Sequence, residues 1–387
     1  MTDMQESLEL RKFVAPEIVS GVGARFMVDR YIKNFGIRKV LVVSDPGVIE
    51  AGWTNDVIWN LKEAGVSYSL FSDVSPNPRA EQVMAGAEVY QNEECHAIVA
   101  VGGGSPMDCA KGIGIVSTNS QHIIEFEGAD QVSIPGPPLI CIPTTSGSSA
   151  DVSQFAIITN KQRNVKMAIV SKMLVPDVAL IDPETLLTMP AYLAACTGMD
   201  ALTHAIEAFV SNASSPLTDV LALEAISLVN DSIIQSLDKP DDMELRARMM
   251  RGSMLAGLAF SNAILGAVHA MAHSLGGLLD LPHGECNAIL LRHVIAFNYD
   301  EAADRYQRIA RAMGLPGGDE KQVKKGLLDA IYRLQTAVGI TRTLGELGVK
   351  PGDVPQLAKN AIMDACMATN PRGAGQRDIE VVYEEAL

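Results

Sequence analysis

The chain has 387 residues, of which 48% are hydrophobic and 20% charged, and its net charge is −15. A single core stops growing at roughly 250–300 residues, so two globular domains are expected. The acidic balance argues against nucleic acid or anionic membrane as a partner, and no apolar run approaches the roughly 20 residues of a membrane span. Six scattered cysteines form no CxxC, and the charged opening MTDMQESLELRK contains no apolar leader, so a reduced, cytoplasmic protein is expected.

In chain order, the first half alternates short β-branched runs with amphipathic helices. RKVLVVSD (Arg38 to Asp45) reads as a buried strand, TNDVIWNLKEAG (Thr54 to Gly65) as a helix and VSYSLFSDV as a second strand. PRAEQVMAGAEVYQNE (Pro78 to Glu93) is a helix opened by Asn77-Pro78. HAIVAVGGGS is a strand running into glycines, and PMDCAKGIGIVST is the helix that leaves them. From Pro137 to Asp182 short strands take over: PPLICIPTT, SQFAIITN, VKMAIVS and VPDVALID. Strand signals then vanish, and from about Tyr192 the pattern is helical. The expected architecture is an α/β domain over 1–187 with a mostly parallel, doubly wound, Rossmann-like sheet, followed by an all-helical domain over 188–387.

Two loops of the first half offer a ligand site. VGGGSP puts glycines between a strand and a helix, where the backbone can approach a phosphate and the helix N-terminus offers free N–H groups. Glycine also serves tight strand–helix turns on steric grounds, and the standard GxGxxG is absent. PTTSGSSAD (Pro143 to Asp151) follows a buried strand and presents Thr144, Thr145, Ser146, Ser148 and Ser149 where open α/β sheets bind ligands. Asp45, at the tip of its strand, is placed to bond an adenosine ribose and favour NAD over NADP; capping the next helix is the competing use.

The second half holds a cluster of metal-ligand type. In GMDALTHAIEAF, Asp200 and His204 are four apart, and in GAVHAMAHSLGGLLDLPHGECN so are His269 and His273. Such pairs share one face of a helix. The helix is expected to stop at Gly276-Gly277, and Pro282 to turn His283 back toward the same face. A single histidine in an Ala/Leu-rich helix is usually structural; two helices each offering an i, i+4 pair can make a pocket for one divalent ion. Spacing alone does not choose among His269, His273 and His283. His96, His122 and His293 lack partners at ligand spacing and are read as structural.

GGGSPMDCAKG, GMDALTHAIEAF and GAVHAMAHSLGGLLDLPHG together resemble the loop and the two metal signatures of the iron-containing (group III) alcohol dehydrogenases, over essentially the whole chain. The resemblance implies a dehydroquinate synthase-like fold. It also implies a metal held by Asp200, His204, His269 and His283, with His273 beside the nicotinamide rather than a ligand. It assigns dinucleotide contacts to Asp45, Asn77, Gly103, Gly104, Ser105, Asp108, Thr144, Thr145 and Lys166, and an alcohol pocket to Phe155, Phe260 and Cys366. An aromatic residue at Phe155 points to an apolar pocket for unsubstituted short alcohols. Glu285 and Arg292 depart from the apolar residue and proline expected of the family.

The implied activity is interconversion of small primary alcohols and aldehydes by hydride transfer to NAD from an alcohol activated at the metal, and the implied assembly is a homodimer or larger homo-oligomer. One carboxylate and three imidazoles suit Fe(II) or Zn(II) alike. Wording such as CIPTTSGSSADVSQFAIIT also resembles the alcohol dehydrogenase-like regulatory proteins, which makes a slow, sensing protein the alternative.

Overall fold

The computed structural model describes Leu10 and residues 12–387. It divides into two compact units, an α/β unit of Val14–Met189 and a helical unit built on Pro190–Leu387. The boundary expected after residue 187 falls two residues later, because the linking segment is bonded into the α/β unit. There the Thr185 hydroxyl donates to the Pro143 carbonyl at 2.7 Å and the Trp53 indole donates to Thr188 at 2.7 Å. The first domain was also expected to begin at residue 1; residues 1–9 and 11 lie outside the described residues, and the α/β unit begins at Val14.

The strands are β1 Glu17–Ser20, β2 Lys39–Val43, β3 Ser67–Phe71, β4 Ala97–Gly102, β5 Gly128–Ala129, β6 Leu139–Pro143, β7 Phe155–Asn160, β8 Val165–Val170 and β9 Val178–Ile181. Six form one sheet in the order β1-β9-β6-β4-β2-β3, every pair parallel. Its inner strands are apolar on both faces, as a sheet covered by helices on both sides requires. Leu41, Val43, Ile98, Ala100 and Cys141 fill one core, while Val40, Val42, Val99, Ile140 and Ile142 alternate into the other. Each fully buried aliphatic side chain contributes about 1.5–3 kcal/mol, so these strands hold the sheet rigid behind the loops at its ends. A second sheet, β5-β8-β7, pairs β7 with β8 antiparallel.

No strand follows Ile181 among the described residues. Helices Ala191–Val210, Pro216–Asp238 and Met243–Ala263 pack on one another, each entered through a proline or a side-chain cap. Asp242, for example, accepts from the Glu244 and Leu245 amides at 3.1 and 3.2 Å. Helices Ala267–Leu279 and His283–Asn298 follow. The first runs through Gly276 and Gly277 rather than stopping there; Asp280, left-handed at φ 57°, ends it instead. Among the described residues no single helix is long and apolar enough to cross a membrane.

Candidate active site

In the α/β unit the two ligand loops lie against each other at the carboxyl end of the sheet. The Thr144 amide donates to the Gly102 carbonyl at 2.9 Å. A Cβ on Gly103 would meet the Thr145 side chain at 3.1 Å, and one on Gly104 would meet Ser148 Cβ at 2.9 Å. Gly102 has φ 152° and leaves no room for a side chain beside Pro106. The glycines are therefore needed to seat the hydroxyl loop, and they leave the N-terminus of helix Gly104–Asn119, with Ser105 in its first turn, at the junction. The glycine loop and the hydroxyl loop, both expected to offer a ligand site, lie in contact.

Asp108 and Lys111, on the next turn, tie that helix to β7. Asp108 accepts from the Ile157 amide at 3.1 Å. Loss of water raises its carboxyl to about 6, against the opposing pull of Lys111 and the Ile157 bond. Lys111 is buried and donates to the Ser153 and Phe155 carbonyls at 2.8 and 2.7 Å. Lys111 was not among the expected site residues, although it stands in the same GGGSPMDCAKG motif. Lys166 is on β8 and Phe155 opens β7, buried. Asn77, half-buried, takes a left-handed conformation at φ 58°. Asp45 does cap its helix: Oδ1 accepts from the Val48 amide at 3.0 Å.

In the helical unit three elements converge. Helix Ala191–Val210 carries Asp200, His204 and Glu207, helix Ala267–Leu279 carries His269 and His273, and His283 opens helix His283–Asn298. His269 Nε2 and His283 Nε2 stand 3.6 and 3.9 Å from Asp200 Oδ1, and one donor atom of each residue lies within 4.8 Å of the others. His204 does not join that group; its ring stacks between those of His269 and Phe260, with centroids 4.4 Å away on each side. His273 packs flat on His283, ring centroids 5.3 Å apart. Phe260 and Cys366 thus flank the cluster from within this unit. Asp364, His273 and Cys366 also gather within 4.8 Å.

Several supporting residues were not foreseen. Glu207, 3% exposed, accepts from His269 Nδ1 at 2.5 Å and from the Val268 amide at 2.7 Å. A carboxylate at Nδ1 keeps a ring proton there and orients the ring so that Nε2 faces Asp200. Asn287 donates to Asp200 Oδ1 at 2.6 Å and approaches His269 Nε2 and His283 Nε2 at 3.1 and 3.2 Å. Asp364 stands 2.9 Å from His273 Nδ1.

The charges fit a cation. Burial alone would raise the Asp200 carboxyl, but His204, His269 and His283 outweigh it and hold it well below the usual range. Burial disfavours a charged His269, yet bonds to Asp200 and Glu207 raise it to about 9. Two buried carboxylates thus hold a proton where a divalent ion would serve better, and the buried Asn287 Oδ1 lacks a partner beside them. One carboxylate oxygen with imidazole nitrogens is a donor set for Fe(II) or Zn(II).

Comparison with known proteins decides the family. The iron-containing alcohol dehydrogenase profile matches residues 15–183, and the profile for the C-terminal part of the Fe-containing alcohol dehydrogenase family matches 194–387. The chain belongs to the iron-containing alcohol dehydrogenase family. It is 42% identical over 369 residues to alcohol dehydrogenase 4 of Schizosaccharomyces pombe, covering 95% of this chain and 86% of the relative. With the NAD-dependent methanol dehydrogenase of Bacillus methanolicus it shares 37% identity over 377 residues, 97% of this chain and 99% of that one. A solved 1,3-propanediol oxidoreductase superposes with a TM-score of 0.95 at 37% identity, covering 98% of this chain and all of that one. These relatives are oxidoreductases of alcohols. The chain is accordingly an alcohol–aldehyde oxidoreductase, and the regulatory alternative is not favoured.

Proposed function

We propose that this family member is an NAD(H)-dependent dehydrogenase of short, unsubstituted primary alcohols, with Asp200, His204, His269 and His283 holding one Fe(II) or Zn(II) ion. The carrying observation is the convergence of Asp200, His269 and His283 with Glu207 bonded behind His269. His204 completes the set by turning its ring within the stack. When bound, the ion favours loss of the alcohol proton and the nicotinamide takes the hydride. Glu207 fixes the His269 tautomer. Asp364 fixes that of His273, which stands against His283 and takes the proton toward solvent. The glycine–hydroxyl cradle, with Gly103, Gly104, Ser105, Thr144 and Thr145, holds the pyrophosphate; Asn77 and Lys166 bind further along the dinucleotide. Asp45 Oδ2 takes a ribose hydroxyl while Oδ1 caps. The likeness to the NAD-dependent methanol dehydrogenase of Bacillus methanolicus supports NAD and a short alcohol.

The test is NADH formation by metal-stripped protein given Fe(II) or Zn(II) anaerobically, across a panel of short alcohols. Metal-dependent turnover strongest with unsubstituted short alcohols is expected. Binding of metal and NAD with turnover far below about 1 s⁻¹ on every alcohol would reject the proposal.

A further inference from the structure

Asp200, His204 and His269 are set by long, buried helices, but His283 is the first residue of its helix, and its side chain is 27% exposed. Its position depends on what holds the turn around it. Gly284 lies on the neighbouring helix so closely that a Cβ would come 2.7 Å from the Cys196 carbonyl oxygen. Asn287, one turn on, bonds Asp200. Between them sits Glu285, completely buried.

Glu285 meets a two-pronged partner. Arg342 donates from Nε to Oε1 at 2.9 Å and from Nη2 to Oε2 at 2.8 Å, and Nη2 also reaches the Tyr192 hydroxyl at 3.3 Å. Tyr192 belongs to the helix that bears Asp200 and His204. The segment carrying Arg342 is itself tied down, since the Leu344 amide donates to the Ala386 carbonyl at 3.0 Å. A fork-to-carboxylate pair is directional, so it fixes orientation as well as distance. Through Arg342 and Tyr192 it fastens the turn two residues from His283 to the helix of Asp200 and His204.

We propose that the Glu285–Arg342 pair is a latch that holds His283 in the metal site and sets how long the ion stays bound. Glu285 and Arg342 act as positioning residues and touch neither ion nor substrate. The proposal rests on the metal reading above.

The test loads intact wild type and variants with Zn(II), adds excess chromogenic chelator, and follows release while recording each variant's melting temperature. Arg342→Met and Glu285→Leu should both release zinc roughly tenfold faster than wild type. Glu285→Leu leaves no unpaired buried charge, so fast release there cannot be blamed on one. Arg342→Lys, which keeps the charge and loses the fork, should fall between. Arg25→Met breaks a different pair, with the buried Asp182 at 2.6 Å in the α/β unit, and should lower melting without changing release. Release at the wild-type rate from Glu285→Leu and Arg342→Lys, with zinc bound by wild type, overturns the latch alone. A wild type that takes up no zinc overturns the metal reading and the latch together.

Discussion

At the end of β4 the chain makes a site by omitting side chains; on helix Ala191–Val210 it makes one by crowding titratable groups together. The glycine cradle consists of backbone and hydroxyls, held by a buried Lys111 whose bonds go to carbonyls. The helical cluster packs Asp200, Glu207, His204 and His269 into space with at most 4% exposure. The first kind of site is spoiled by adding a methyl group, the second by removing a charge. The two should fail independently, and that independence can be attacked directly.

The largest effect is expected from His269→Ala. It should abolish stoichiometric metal and lower turnover by roughly 10³-fold or more, while NAD affinity measured by fluorescence titration stays within about twofold. His273→Ala should keep its metal and lose roughly 10²–10⁴ in turnover, as expected for a lost proton carrier. Equal metal loss in the two variants would undo the assignment of roles. Gly104→Ala gives the reverse result: metal content is unchanged, and NAD binding weakens roughly tenfold because a Cβ would press on Ser148.

Next comes the dependence on pH. In metal-free protein His269 is raised from 6.5 to about 9, so it carries a proton below that range, and an incoming ion must displace it. Metal affinity by competition titration should rise roughly tenfold per pH unit up to about 9 and then flatten. The linked effect on stability has the opposite sign. The raised group stabilises the metal-free fold fully below 6.5, and that contribution is lost as pH climbs through 9. Metal-free protein should therefore lose melting temperature across this window, and metal-loaded protein should not. Glu207→Gln sharpens the same point: it keeps an acceptor for the Val268 amide but removes the charge behind His269, and should weaken metal binding about 10- to 100-fold.

Much of this was legible because buried parallel strands leave continuous β-branched runs, and because an i, i+4 ligand pair is visible wherever a helix is. β1 was not seen: EIVS is a half-buried edge strand with little pattern. β5 has only two residues. Gly276-Gly277 misled because paired glycines usually end helices, whereas here they are buried inside one. Glu207, the carboxylate behind His269, had a readable signal, seven residues from Asp200 on the same helical face. Asp364 and Arg342 had none, since they meet their partners across 91 and 57 residues of chain. Long-range pairs of this kind depend on how helices pack, which local spacing does not encode.

The smallest effect concerns Asp45, where the two readings of one carboxylate can be separated. As a cap it contributes about 1 kcal/mol, and asparagine caps equally well. As a ribose partner it acts through charge, repelling a 2′-phosphate, which asparagine does not do. Asp45→Asn should therefore leave the melting temperature unchanged while the preference for NAD over NADP falls about tenfold. Asp45→Ala should lose both. If Asp45→Asn discriminates between the cofactors as sharply as wild type, the carboxylate serves the helix Pro46–Glu50 alone, and the preference must arise elsewhere in the cradle.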